Sequence, residues 1–440
     1  MSQHKVSLVK YEKPLDSVRR ALDLCGGLDA IAPGDKVFLK PNIVFWTRLA
    51  EFPKYGVITT SRVVQDVVAL LAERGVRDIT IGEGMVLGRP NDRETAPHAF
   101  ESLGYAELGR RYGVKTVDAF TRPFREVDLG DGMKLSFNVD ILDSDVVISL
   151  PVMKTHAQTM VSLGIKNLKG MIDVNSRKRC HSADPQRDLH AWISRLADPF
   201  PRVLALQDGI YTAEMGPSFD GIMHRSNILV ASWDVLAADL VGARLLGQDP
   251  AQIPYLVHAA SRRGRDTSLD GIEVLGERIE DLARPHQWCF PYNEQGTLPL
   301  PMVKRGMAGI SYYKYDSSLC TYCSTINGAV LSAIAMAWKG EPWNQVEVLT
   351  GKMMRPSGKA NKTILLGKCM YQANKDNPAI KEMIPVKGCP PQPEQINAAL
   401  HQAGIMVEPA ILANLERMPA TYLKRYEGKP EFDPGLFRVE

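Results

Sequence analysis

The sequence predicts an α/β protein: parallel or mixed sheets with flanking helices across residues 1–300, followed by a smaller α/β domain across 301–440. Two observations carry this expectation. Over the first 120 or so residues, short β-branched runs alternate with longer helical patterns at the spacing of βαβ units. A Pro-rich, irregular stretch at 265–310 then precedes a second series of strand and helix patterns, which puts a boundary near 290–305. A chain of 440 residues, 45% hydrophobic and 23% charged, has material for two or three ordinary cores.

In order, VSLVKYE reads as a strand and SVRRALDLCGGL as a helix stopped at Gly26-Gly27. DKVFLKPNIVF is a strand, SRVVQDVVALLAERGV an amphipathic helix and DITIGEGM a strand. Parallel strands joined by helices hold ligands at their carboxyl ends, where Lys40-Pro41-Asn42 and Gly82-Glu83-Gly84 fall. HAFESLGYAELGRRYGV is a further helix, and REVDLGDGMKLSFN folds as a hairpin about Gly130-Asp131-Gly132. DSDVVISLPVMKTH is one apolar strand ending at Lys154 and His156, and MVSLGIKNLKGMID opens a helix carrying Lys166, Asn167 and Lys169.

Residues 172–190 read as a polar, basic loop. Its Cys180-His181 pair is a weak metal signal, and Arg177, Lys178 and Arg179 form either a solvated charge run or a clasp over an anion. RVLALQDGIYT is a strand ending at Asp208, NILVASWDV another, and VLAADLVGARLLG a helix capped by Asp234. Cys25 and Cys289 are expected in apolar surroundings.

In the second domain GAVLSAIAMAW is a helix, VEVLTG and KTILLGKC are strands, and PEQINAALHQAG is a helix that starts just after Cys389. The closing segment from EPAILANLERM onward gives a helix and an extended tail that packs back on the protein or on a second subunit, which leaves a homodimer open.

Four cysteines stand out here: Cys320 and Cys323 in SSLCTYCST, Cys369 in LLGKCMYQ and Cys389 in VKGCPPQPEQI. A Cys-x2-Cys turn sends two thiolates to one centre, the distant pair must be delivered by the fold, and four thiolates saturate a [4Fe–4S] cluster. With Cys369 closing a strand and Cys389 preceding a helix, both fall on the carboxyl edge of a small parallel sheet. Structural zinc is the first competitor, although it favours two short knuckles and only one short pair exists here. Unrelated core cysteines are the second. Seven cysteines without an export signal point to thiols or metal ligands over disulfides.

GCPPQPEQI resembles the cluster-ligand segment in the small subunits of respiratory complex I and of nickel–iron hydrogenases, a likeness of about nine residues that speaks for a ligand at Cys389. A second resemblance is wider. KPNIV after a strand, GEG at the next strand end, SLPVMKTH followed by LGIKNLKGMI, LQDGIYTAEMGP and DVLAADLVGARLLG together resemble the domain-of-unknown-function 362 family over roughly residues 5–250. That resemblance implies an α/β fold distantly similar to the lactate racemase superfamily, frequent association with iron–sulfur cysteines, and no settled reaction. The racemase's nickel cofactor is not carried over.

Lys154, His156, Lys166 and Lys169 concentrate positive charge in a short strand-to-helix junction, with Lys166 and Lys169 sharing a helical face near a helix N-terminus. A small carboxylate or phosphate is the natural guest. His156 is the candidate proton donor or acceptor, and Lys154 and Lys40 orient the substrate. Asn42, Glu83 and Asp208 are polar contacts of second rank, equally open to structural capping.

Three functions follow. The first is a redox enzyme whose cluster exchanges electrons with an anaerobic partner such as a ferredoxin and with the small anion. The second is a lyase or desulfidase with an open iron. The third is a carrier or binding protein with a structural cluster. A net charge of +3 from 53 basic against 50 acidic residues argues against nucleic acid and anionic membranes as main partners. The N-terminal segment lacks a signal-peptide pattern and the longest apolar run is too short to span a bilayer, so cytoplasmic residence is expected.

Overall fold

The computed structural model describes residues 4–85 and 92–440. The chain separates into two compact units. The first takes the residues up to Ser176, then His190–Cys289 and Pro419–Glu440, and the second takes Arg177–Leu189 and Phe290–Met418.

The first unit contains β1 (His4–Lys10), β2 (Lys36–Pro41), β3 (Asp78–Glu83), β4 (Lys115–Asp118), β5 (Phe124–Asp128), β6 (Lys134–Asn138), β7 (Val146–Leu150), β8 (Val152–His156), β9 (Met160–Ser162), β10 (Val203–Glu214), β11 (Ile222–Ser232) and β12 (Ile272–Gly276). Strands β5 and β6 pair as the expected hairpin. The others form one mixed sheet in the order β12-β1-β11-β10-β7-β2-β3-β4, with β8 beside β10 and β9 on β8. From β10 through β7, β2, β3 and β4 every pairing is parallel, whereas β11 runs antiparallel to both β1 and β10. The α/β class is therefore as the sequence predicts. Parallel strands covered on both faces read as continuous apolar runs, and each residue of VVISL in β7 is buried.

Two strands depart from expectation. DSDVVISLPVMKTH is two strands, because Pro151 lacks the N–H that would carry the ladder through. Strand β10 does not end at Asp208 but runs on to Glu214, held by β11 on both sides of a register shift between Gly209 and Tyr211. Asp208 thus sits inside a strand, at an irregularity where its side chain can turn to neighbouring backbone.

The tail belongs to the first unit. Phe432 and Phe437 stack near Tyr211 and pack edge-on to Tyr55, whose hydroxyl donates to the Phe432 carbonyl at 3.1 Å. Clusters of this kind combine large buried area with favourable ring geometry.

The second unit is built on β13 (Ile310–Tyr312), β14 (Val346–Leu349), β15 (Lys362–Leu366) and β16 (Glu382–Val386), in that order and parallel throughout. Helices Thr321–Ala337, Lys368–Asn374 and Pro393–Gln402 follow β13, β15 and β16. The apolar face of the first helix, with Ile326, Val330 and Ile334, shares a core with Val346, Ile364 and Ile384. Residues 174–180, expected as loop, form the helix Val174–Cys180, and Cys180 at its end is fully buried. Basic composition hid this helix, since its order comes from tertiary contacts and not from an apolar stripe.

Candidate functional site

In the first unit the carboxyl ends of β2 and β3 meet the chain that leaves β9. Lys40, the penultimate residue of β2, is wholly buried and pairs with Glu83, the last residue of β3, at 2.8 Å. Glu83 is over-determined: its two oxygens also accept from Ile43 N at 2.8 Å and Gly84 N at 2.9 Å. Lys40 further donates to the Pro41 carbonyl at 2.7 Å. Behind the pair lies Gly170, where a Cβ would stand 2.2 Å from Glu83 Oε1 and 2.6 Å from Lys40 Cε. Only glycine lets the backbone approach a buried ion pair this closely.

Two asparagines extend the network. Lys154 Nζ donates to Asn42 Oδ1 at 2.6 Å and to the Val57 carbonyl at 3.1 Å. Asn42 Nδ2 donates to Asn167 Oδ1 at 3.3 Å, and Asn167 Nδ2 donates to the Lys40 carbonyl at 2.8 Å and to Ser149 Oγ at 3.1 Å. Asn167 lies on the helix Gly164–Asn167, whose first two N–H groups are taken by Asp239: Gly164 N to Oδ1 at 2.7 Å and Ile165 N to Oδ2 at 3.0 Å. Asp239 comes from the helix Val235–Leu245, almost every residue of which is buried.

Burial dominates the electrostatics. It pushes Lys154 down to about 7, opposed by the charge of Glu83 and reinforced by that of Lys40. Lys166, half-buried, is held well below the ordinary lysine range by desolvation and then by Lys169 and Lys154. Asp239 is pushed up to about 7 by desolvation, against its two backbone hydrogen bonds. Lys40 and Lys154 thus feel the charge of Glu83, Lys166 feels Lys169 and Lys154, and desolvation weakens the hold of Lys154 and Lys166 on their protons.

The remaining predicted residues fall less centrally. His156 shares a strand face with Lys154, two residues away, and is buried. Its Nδ1 accepts from Gln158 N at 3.1 Å, which leaves the neutral ring's proton on Nε2. Asp208 is engaged in backbone capping, accepting from Thr60 N at 2.7 Å and Ile210 N at 3.1 Å. Asp234 caps its helix as expected, accepting from Ala237 N at 2.9 Å. Cys25 is buried and Cys289 half-buried. Sequence reasoning missed Asp239. Its signal is a lone carboxylate in an otherwise apolar helix, where a buried charge must have partners.

In the second unit the four cysteines come from three places on one sheet edge. Cys320 is the N-cap of the helix Thr321–Ala337 and Cys323 lies in its first turn. Cys369, expected to close a strand, lies three residues past the end of β15 at Leu366, in the first turn of the helix that follows, and Cys389 lies between β16 and its helix. The β15 and β16 loops are joined beyond the strands by Gly367 N to Val386 O at 2.8 Å and Lys368 N to Gly388 O at 3.0 Å. Gly367 turns at a φ of +99°, and a Cβ there would lie 3.7 Å from Cys323 Sγ and 3.8 Å from Pro391 Cγ. All three loops therefore approach a common place.

The thiols sense one another. Cys320 is pushed down, first by a hydrogen bond from the Cys323 thiol, with help from the N–H groups of the helix start and the charge of Lys352. Cys323 is pushed up, by that same sulfur contact, by burial and by Cys320, Cys389 and Cys369. Cys369, though exposed, is raised by partial desolvation and by Cys320 and Cys389, opposed by Lys352 and Lys178. Among the described residues no three His, Cys, Asp or Glu side chains close tightly enough to hold one metal ion. A single ion with bonds of about 2.3 Å draws its sulfurs to roughly 4 Å apart. Ligands of a polynuclear cluster sit on different irons and need not approach so closely. As a donor set, four mutually repelling thiols beside two lysines suit a cluster core that carries positive charge.

Fold and residues together define an α/β protein with a buried lysine–asparagine–glutamate centre in one unit and a cysteine rim in the other. The family model for "Domain of unknown function (DUF362)" matches residues 37–244. The chain is 30% identical over 246 residues to thylakoid-associated protein sll1697 of Synechocystis sp., covering 55% of this chain and 73% of that protein. It belongs to the DUF362 family. Two solved structures are similar at 14% identity and a TM-score of 0.32: the lactate racemase apoprotein from Thermoanaerobacterium thermosaccharolyticum and a protein from Thermotoga maritima. The chain covers 58% of the first and 60% of the second, less than two thirds of either. No described helix is long and apolar enough to cross a membrane.

Proposed function

We propose that this chain is a [4Fe–4S] redox enzyme that exchanges electrons with a small anionic substrate bound around Lys154 and His156. The observation that supports it most is the meeting of four thiols from three loops on one parallel-sheet edge, where Cys320, Cys323 and Cys369 are each shifted by neighbouring sulfurs. Cys320, Cys323, Cys369 and Cys389 would hold the cluster, which supplies single electrons when bound. Four candidate thiolate ligands favour electron transfer over an open iron.

The lysine centre does the rest. With Lys40 committed to Glu83, Lys154, Lys166 and Lys169 supply positive charge that burial disfavours and that an incoming carboxylate or phosphate restores. Asn42 and Asn167 fix Lys154 and the loop around it. His156, with its proton on Nε2, is placed to give that proton to a reduced substrate or to take one back. A ferredoxin-like donor and cytoplasmic residence complete the proposal.

The test is anaerobic purification with iron and sulfide analysis. Near-equimolar iron and sulfide, broad absorbance near 400 nm and a cubane spin signal on reduction are expected, and zinc or no metal in place of iron refutes the proposal. Lys154→Ala and His156→Ala should abolish turnover and spare the cluster.

A further inference from the structure

The segment Arg177–Leu189 is remote in sequence from the cysteine loops, yet its contacts group it with the second unit. Its attachment is specific. His181, buried, makes a hydrogen bond through Nδ1 to the Ser317 carbonyl at 2.8 Å, just before the Cys320 turn. Lys178 places its ammonium 5.4 Å from the ring centre of Tyr322, one of the two residues between Cys320 and Cys323. Lys352 follows β14, and its backbone N–H donates to Ser318 Oγ at 2.8 Å. Its ammonium donates to the carbonyls of Lys178, at 3.2 Å, and of His181. A Cβ on neighbouring Gly351 would stand 2.9 Å from Ser318 Oγ, so this strand end and the cysteine turn are in close contact.

One cation is therefore fixed by two carbonyls and another by an aromatic face. Both lie within charge range of Cys369, and Lys352 also of Cys320. Among the described residues neither lysine forms an ion pair with a carboxylate, the nearby Asp316 accepts from Ser318, and the charge of both lysines reaches Cys369.

Resting on the cluster reading above, we infer that Lys352, with Lys178, is a positioning residue that sets the cluster's reduction potential, holding a compensating positive charge at the Cys320 and Cys369 side. A cubane core with four thiolates is anionic, and reduction by one electron from a low-potential mediator makes no bond and breaks none but adds one negative charge. A fixed cation stabilises the reduced form more than the oxidised one and so raises the potential, the net-charge control known for such centres. The carbonyl clamp matters because an untethered lysine would swing into water, where its field is screened.

The experiment is a redox titration of the cluster-loaded full chain followed by its spin signal, for the natural protein, Lys352→Met, Lys178→Met and Lys352→Arg. Lys352→Met should make reduction roughly tenfold harder, a fall of about 59 mV for one electron. Lys178→Met should lower the potential by less, and Lys352→Arg should keep it near the natural value. If Lys352→Met takes up no iron, the order of Lys178→Met below both Lys352→Arg and the natural protein decides the matter. Equal potentials in all loaded proteins overturn this inference alone, since the cluster would still be present. A natural chain without iron and sulfide overturns both this inference and the proposal it rests on.

Discussion

The two centres solve one electrostatic problem in opposite ways. In the first unit Lys40 and Glu83 are almost fully removed from water, and the protein supplies partners for both from backbone and side chain. In the second, Cys369 and Cys389 are exposed, Cys320 and Cys323 half-buried, and the sulfurs repel one another's charge. Both sit beyond the carboxyl ends of parallel strands, where the helices that follow begin. The comparison teaches that a buried centre completed by its own fold is rigid before any ligand arrives, whereas a rim of like groups is left for something of opposite charge to complete.

The comparison can be broken from either side. Serine at any one of Cys320, Cys323, Cys369 or Cys389 should remove most of the bound iron while leaving anion binding at the lysine centre intact, measured by metal analysis and by calorimetry. Retention of full iron by two or more of these variants would separate the rim from any cluster. In the first unit, Glu83→Leu strands the buried Lys40 charge and two backbone N–H groups, and should cost about 3–5 kcal/mol in denaturant unfolding.

Asp239 offers a finer test. Asp239→Asn keeps one acceptor where two are used, and should cost about 1–3 kcal/mol. The folded pKa of Asp239, about 7, lies above the ordinary carboxylate value of 3.8. The folded state therefore holds the extra proton between these values, and the contribution of this group to stability falls as pH rises from about 4 to about 7. The variant should lose that slope. Lys154 has the opposite sign. Its folded pKa of about 7 lies below 10.5, so the unfolded chain binds more protons between them and stability rises with pH across that interval. Lys154→Met should flatten the rise, read from unfolding curves taken at several pH values. An anion that binds the natural protein near pH 8 should bring a proton with it, visible as a buffer-dependent binding enthalpy.

Much of this was legible in the sequence. Lys40 near the end of β2 and Glu83 at the end of β3 placed two polar groups at neighbouring strand ends, because alternating βαβ patterns leave little choice of topology. The cysteine spacing and the glycine and prolines around Cys389 placed three loops on one edge. Pro151 was legible as a breaker and was passed over. Asp208 misled because a strand pattern does not reveal where a bulge lets a carboxylate turn back to the chain.

Chain order and residue type by themselves determined the α/β class, the parallel pairing of the second unit and which strand ends carry charge or sulfur, because these follow from local periodicity and turn chemistry. Only the tertiary structure decided that Lys40 is neutralised by Glu83, that Asp239 holds the helix bearing Asn167, and that Lys352 is clamped by carbonyls from residues 178 and 181. Those partners lie 43 to 174 residues apart. At such separations the contact depends on packing, and burial then sets how strongly each charge is felt.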